Sequence, residues 1–166
     1  MPNKLTILAG IPGSGKSTWA RRFFPRDSIV STDAIRAELY DGPYDPSYNA
    51  LVFRLFHKRI ATKLASGEDA VADSTALLRV ARARLCECAE LRGSFTKWEI
   101  PVHVVMFTST VQGYENNPAR DERWVVPEDA MTKMIADHKD AMHDIKDELE
   151  RGHYQSITYI EGVEQL

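Results

Sequence analysis

The chain has 166 residues, 43% of them hydrophobic and 27% charged, the balance of an ordinary folded domain and not of a disordered or collagen-like one. No apolar run approaches the roughly 18 residues of a membrane span, and Lys4 precedes only a strand-length stretch, so a cytoplasmic protein without a signal peptide is expected. The net charge of −3 argues against a generic nucleic-acid binder, but it is unevenly spread. Residues 1–92 carry 14 Lys and Arg against 10 Asp and Glu, net +4, and residues 93–166 carry 7 against 14, net −7. A polyanionic partner should therefore meet the N-terminal half.

Leu5 to Ala9 is a short apolar strand candidate, and it leads into GIPGSGKST at residues 10–18. Gly10, four residues, then Gly15-Lys16-Ser17 satisfy the spacing of a phosphate-binding P-loop, and Ser17 to Phe24 reads as the helix that must follow. Each position has a reason. Gly10, Gly13 and Gly15 let the backbone wrap an anion, with Pro12, Ser14 and Thr18 completing the cradle at the helix N-terminus. Lys16 would reach the β- and γ-phosphates, and the Ser17 hydroxyl would bind Mg²⁺. ATP and Mg²⁺ are the expected cofactors.

Ser28 to Ser31 is a second strand candidate running into Thr32-Asp33-Ala34-Ile35-Arg36. Asp33 thereby sits at a strand's C-terminal end, where open α/β sheets bind ligands. The same residue also suits a helix N-cap, and the two roles are compatible. Tyr40 to Ser47, rich in Gly, Pro and Asp, is a loop. A helix follows with Tyr48, Leu51, Val52, Leu55, Phe56, Ile60 and Leu64 on one face, and Arg54, Lys58, Arg59 and Lys63 on a solvated face. His57 is given no role.

Ala70 to Ala72 with Asp73 repeats the strand-then-aspartate arrangement, so two carboxylates should converge on the P-loop. A helix is expected from about Ala76 to Arg92, with one of Arg79, Arg82 and Arg84 available to a substrate phosphate. Cys86 and Cys88 lie in it, too few for a structural zinc site. Pro101 to Thr108 is the longest strand candidate, with His103 packed or capping. The polar stretch Tyr114 to Trp124 holds Arg120 and Arg123, within a lid of about residues 109–126. Either arginine can reach a transferring phosphoryl group or pair with Glu115, Asp121 or Glu122 at the surface. Pro127 and Glu128 open a long helix with Met131, Met134, Ile135, His138, Met142, Ile145 and Leu149 facing the core and an acidic outer face, stopped by Gly152. His138 and His143 are five apart, on different faces, which argues against a metal pair. Ser156 to Ile160 supplies a last strand.

The expected architecture is an α/β P-loop kinase fold in one domain, 1–166, with a five-stranded parallel sheet, helices on both faces and an arginine-bearing lid. Phosphoryl transfer needs a metal, charge stabilisation, an oriented acceptor and exclusion of water. Asp33 can take the proton of an acceptor hydroxyl, and Arg36, three residues on along one helix face, can hold a neighbouring phosphate.

GIPGSGKSTWARRF, STDAIR, ADST and the N-x-x-R of Asn117 to Arg120 together resemble the kinase domain of the phage-type polynucleotide 5′-kinases, over residues 4 to about 135. The resemblance implies a phosphate-gripping Lys16, a metal-linked Ser17, a general base at Asp33, an acceptor-phosphate arginine at Arg36, a strand-end aspartate at Asp73 and a lid arginine at Arg120. It implies transfer of a γ-phosphate to a 5′-hydroxyl of DNA or RNA. The family's best-known members add a phosphatase domain, and only the kinase part is expected here. The lid runs one residue longer before Val126-Pro127 than the family pattern, so Arg123 remains an alternative. A kinase of a hydroxymethylated base in DNA, a small-molecule or toxin-type kinase, and a nucleotide switch without an acceptor are the competing functions.

Overall fold

The computed structural model describes residues 3–90 and 100–162. Five strands, β1 (Leu5–Ala9), β2 (Ile29–Ser31), β3 (Ala70–Asp73), β4 (Val102–Phe107) and β5 (Ser156–Ile160), form one sheet in the order β2-β3-β1-β4-β5. Every pairing is parallel. The helices are α1 (Lys16–Phe23), α2 (Thr32–Leu39), α3 (Asn49–Ala65), α4 (Arg79–Ala89), α5 (Thr110–Asn116) and α6 (Glu128–Glu150). This is the P-loop kinase fold.

The central strand explains its own position. All five residues of β1 are buried, because strands pair on both edges and helices cover both faces. Leu5, Ile7 and Ala9 point into the larger core with Val52, Phe56 and Ile60 of α3, Leu85 of α4 and Met131 and Ile145 of α6. Leu8 points the other way, into a cluster with Val71, Val105, Phe107 and Trp19, Ala20 and Phe24 of the α1 region. The register sets Leu8 and Ser31 opposite Asp73, which levels the ends of β1, β2 and β3. β3, which ends in Asp73, and β2, which runs into Asp33 in the first turn of α2, therefore finish beside the P-loop.

α4 departs from expectation. It begins at Arg79, not Ala76, because Ala76 adopts a left-handed φ of 43°, which a helix cannot continue through. Residues 91 and 92 of the expected helix lie outside the described residues. None of the α4 arginines Arg79, Arg82 and Arg84 lines the cavity beside the P-loop. Arg82 is wholly buried and gives a two-pronged bond to Glu148 of α6, at 2.8 and 2.9 Å, with its remaining nitrogen bonded to the Ala76 and Leu77 carbonyls. The Tyr154 hydroxyl completes this group by donating to Glu148. Arg79 pairs with Asp144 and Asp147, and Arg84 stands beside His57 and Cys88 on another surface. The acidic face of α6 is a docking strip for α4.

Arg59 pairs with Glu38 and Lys63 with Glu68 in solvent, while His103 bonds Ser156 and the buried His138 bonds the Phe107 carbonyl. Cys86 and Cys88 are free, and burial pushes both thiols up to about 11, where they are inert at neutral pH. Among the described residues no helix is long and apolar enough to cross a membrane.

Candidate active site

The P-loop follows β1 and is fixed at both ends. Gly10 N–H donates to the Thr75 carbonyl at 2.9 Å, joining it to the turn after β3. A Cβ at Gly10 would lie 2.9 Å from Phe107 Cβ, and Gly13 and Gly15 adopt φ of 78° and 92°, so the loop's tight path requires glycine. No side chain caps the N-terminus of α1, which leaves its amides for an anion. Pro12, Gly13, Gly15, Lys16, Ser17 and Thr18 line a cavity of about 1180 Å³, while Gly10 is not part of its wall and the buried Ser14 sits behind the loop.

Lys16 is buried, with its ammonium donating to the Gly10 and Ile11 carbonyls at 2.9 and 2.7 Å. Burial lowers its pKa to about 8, against the opposing pull of Asp73. The Ser17 hydroxyl donates to Asp73 Oδ2 at 2.7 Å. Burial raises the Asp73 pKa, while that hydrogen bond and Lys16 act to lower it. A hydroxyl and a carboxylate are hard oxygen donors, and Mg²⁺ is typically held by one or two carboxylates with substrate phosphates and water. The pair fits that ion. No cluster of three or more His, Cys, Asp or Glu suited to a metal occurs among the described residues.

Asp33 lies in the first turn of α2 and is not its cap. Ser31 takes that role, accepting from Ala34 N–H, which leaves the Asp33 carboxylate facing the cavity. Arg36 Nη1 reaches one carboxylate oxygen at 3.3 Å, and Arg120 Nη2 reaches the other at 3.0 Å. Arg36 is buried, donates to Asn49 Oδ1 at 3.1 Å, and keeps a buried Nε with no partner among the described residues. A buried arginine nitrogen without an acceptor costs about 1–3 kcal/mol, which suits a position meant for an anion.

Arg120 and Arg123 separate clearly. Arg120 crosses the cavity to Asp33 and is anchored by the Trp124 carbonyl at 2.6 Å. Arg123 turns back onto Asp121 at 2.8 Å and lies over the Trp124 ring. Both line the cavity, and only Arg120 touches Asp33. The segment that carries them is braced by Asn117, which exchanges two hydrogen bonds with the Val126 backbone, at 2.8 and 3.0 Å.

A family model described as an AAA domain matches residues 5–144. The chain belongs to the AAA domain family. No curated protein matches it. Among solved structures it is similar to a chain of the Pnkp1/Rnl/Hen1 RNA repair complex, with a TM-score of 0.68 and 21% identity over 86% of this chain. The match spans 46% of that chain, less than half of its length. At this identity the likeness concerns the fold, a nucleotide-binding P-loop kinase fold within the AAA domain family.

Several residues of this AAA domain site have no signature in the sequence. Gly113 of α5 packs so tightly on the P-loop that a Cβ there would lie 2.5 Å from the Ile11 side chain and 2.9 Å from the Pro12 carbonyl. Asn116, three residues on, donates to the Gly13 carbonyl at 3.1 Å across 103 positions of sequence. Asn49 and Tyr44 surround Arg36, and Arg21 and Arg26 line the rim of the cavity. Only the basic excess of residues 1–92 hinted at these last two.

Proposed function

We propose that this protein is an ATP-dependent kinase that transfers the γ-phosphate to the 5′-hydroxyl end of a DNA or RNA strand. The observation that carries the reading is Asp33: a carboxylate in the same cavity as Lys16 and Ser17, gripped from opposite sides by Arg36 and Arg120. A nucleotide switch has no use for such a group, whereas an acceptor hydroxyl needs a base beside it. Mg·ATP, when bound, supplies the electrophilic γ-phosphorus and a metal that neutralises its charge.

Each residue then has a task. Lys16 and the α1 amides hold the phosphates, and Ser17 with Asp73 would hold the metal. The acceptor oxygen bonds to the γ-phosphorus as its bond to the β-phosphate bridging oxygen breaks, and the hydroxyl proton passes to Asp33. Arg120 would stabilise the charge that develops on the transferring group, and Arg36, whose Nε has no partner among the described residues, would hold a phosphate of the acceptor. Arg21 and Arg26, exposed on the cavity rim, continue the positive surface that a polyanionic strand needs and a small neutral metabolite does not.

The test is incubation of wild type and Asp33→Asn with Mg·ATP and a 5′-hydroxyl oligonucleotide. Transfer by the wild type, a loss of about 10²–10⁴-fold in the variant and unchanged ATP affinity are expected. Equal rates in the two proteins would remove Asp33 as the base.

A further inference from the structure

The loop between α2 and α3 contributes Tyr44, an aromatic residue 42% exposed yet part of the cavity wall. Its setting is constructed. The Arg36 guanidinium lies 5.5 Å from the ring centroid, over one face. The Asn49 amide donates to the Tyr44 hydroxyl at 2.7 Å, and the same Asn49 accepts from Arg36 Nη2. Asn49 therefore ties ring and guanidinium into one unit. Arg36 in turn bonds Asp33, so the ring stands two side chains from the carboxylate proposed as the base.

An exposed tyrosine held this way has lost its rotational freedom without losing its open surface. A fixed aromatic face on the wall of a cationic cavity is what a nucleobase stacks on, since every base has a π-face. A phosphate or sugar alone gains little from it. We propose that Tyr44 is the stacking platform for the base of the acceptor's 5′-terminal nucleotide, making it a substrate-binding residue that selects nucleotide ends over other alcohols. The proposal rests on the reading of the acceptor as a nucleic acid.

The experiment compares wild type, Tyr44→Ala and Tyr44→Phe on two 5′-hydroxyl oligonucleotides, one with an ordinary terminal nucleotide and one whose terminal nucleotide is abasic. The wild type should show a KM about tenfold or more higher for the abasic end, the size of one base–aromatic stack. Tyr44→Ala should raise KM by a similar factor on the ordinary end and leave the abasic end unchanged. Tyr44→Phe, which keeps the ring but loses the hydroxyl that Asn49 holds, should fall between wild type and Tyr44→Ala on the ordinary end, and KM for ATP should not move in either variant. An equal loss on both ends would overturn the proposal by showing that Tyr44 acts only through Arg36, and so would no loss at all. A wild type that phosphorylates neither oligonucleotide contradicts the polynucleotide reading itself, and is told apart because the failure precedes any substitution.

Discussion

Lys16 holds a positive charge in a place where burial works against it. Its pKa of about 8 lies below the ordinary 10.5, so between those values the unfolded chain binds the proton more tightly than the folded one. Stability without nucleotide should therefore rise from pH 8 towards 10.5 in the wild type relative to Lys16→Met, which thermal melts of the two proteins across that range would show. ATP affinity should move the opposite way. It should weaken above pH 8 as the ammonium is lost, and stay weak and flat in Lys16→Met, by calorimetric titration at several pH values. At this scale the sequence is readable where function depends on local spacing. Lys16 and Ser17 are fixed by their offsets from Gly10, and Asp73 by ending a strand. Arg120 and Arg123 were not separable, because the choice depends on which side chain the chain folds across to Asp33, 87 positions away.

Helix α5 joins the segment that carries Arg120 to the P-loop through Gly113 and Asn116. Gly113→Ala should force the two apart, since one of the opposing atoms is the Pro12 backbone carbonyl. A severalfold higher KM for ATP and about 1–3 kcal/mol of lost stability are expected from kinetics and urea titration. The α4–α6 contact has a different character. Arg82→Met would take from the buried Glu148 its two-pronged partner and leave Arg79, 3.5 Å away, as the cation beside it, at a cost of up to about 3–5 kcal/mol in chemical denaturation, while the KM values of the folded fraction stay unchanged. Helix periodicity revealed α3 and α6 because their apolar stripes face a core. It failed at the start of α4, where Ala76, Leu77 and Leu78 are apolar enough to read as helix but one left-handed residue makes them a turn. That conformation serves the Arg82 network, which no local pattern encodes.

The whole molecule directs its chemistry to one edge of one sheet. Alternating strands and helices made the parallel sheet legible, because buried strands read as apolar runs and parallel pairing requires crossovers. The order β2-β3-β1-β4-β5 was not legible, since each strand offers similar apolar faces to any neighbour, yet it is this order that brings Asp33 and Asp73 to the P-loop. Among the described residues five arginines line the cavity, Arg21, Arg26, Arg36, Arg120 and Arg123. Oligonucleotide affinity, followed by fluorescence anisotropy, should accordingly fall steeply with salt, with a log–log slope that flattens by about one for each of Arg21→Ala and Arg26→Ala. An acceptor at the end of a strand is tested most directly by labelling a 5′-hydroxyl oligonucleotide with γ-labelled Mg·ATP, digesting to nucleotides and locating the label. All of it should lie on the 5′ position of the terminal nucleotide; label on an internal base, or none on the oligonucleotide, would contradict a 5′-end acceptor.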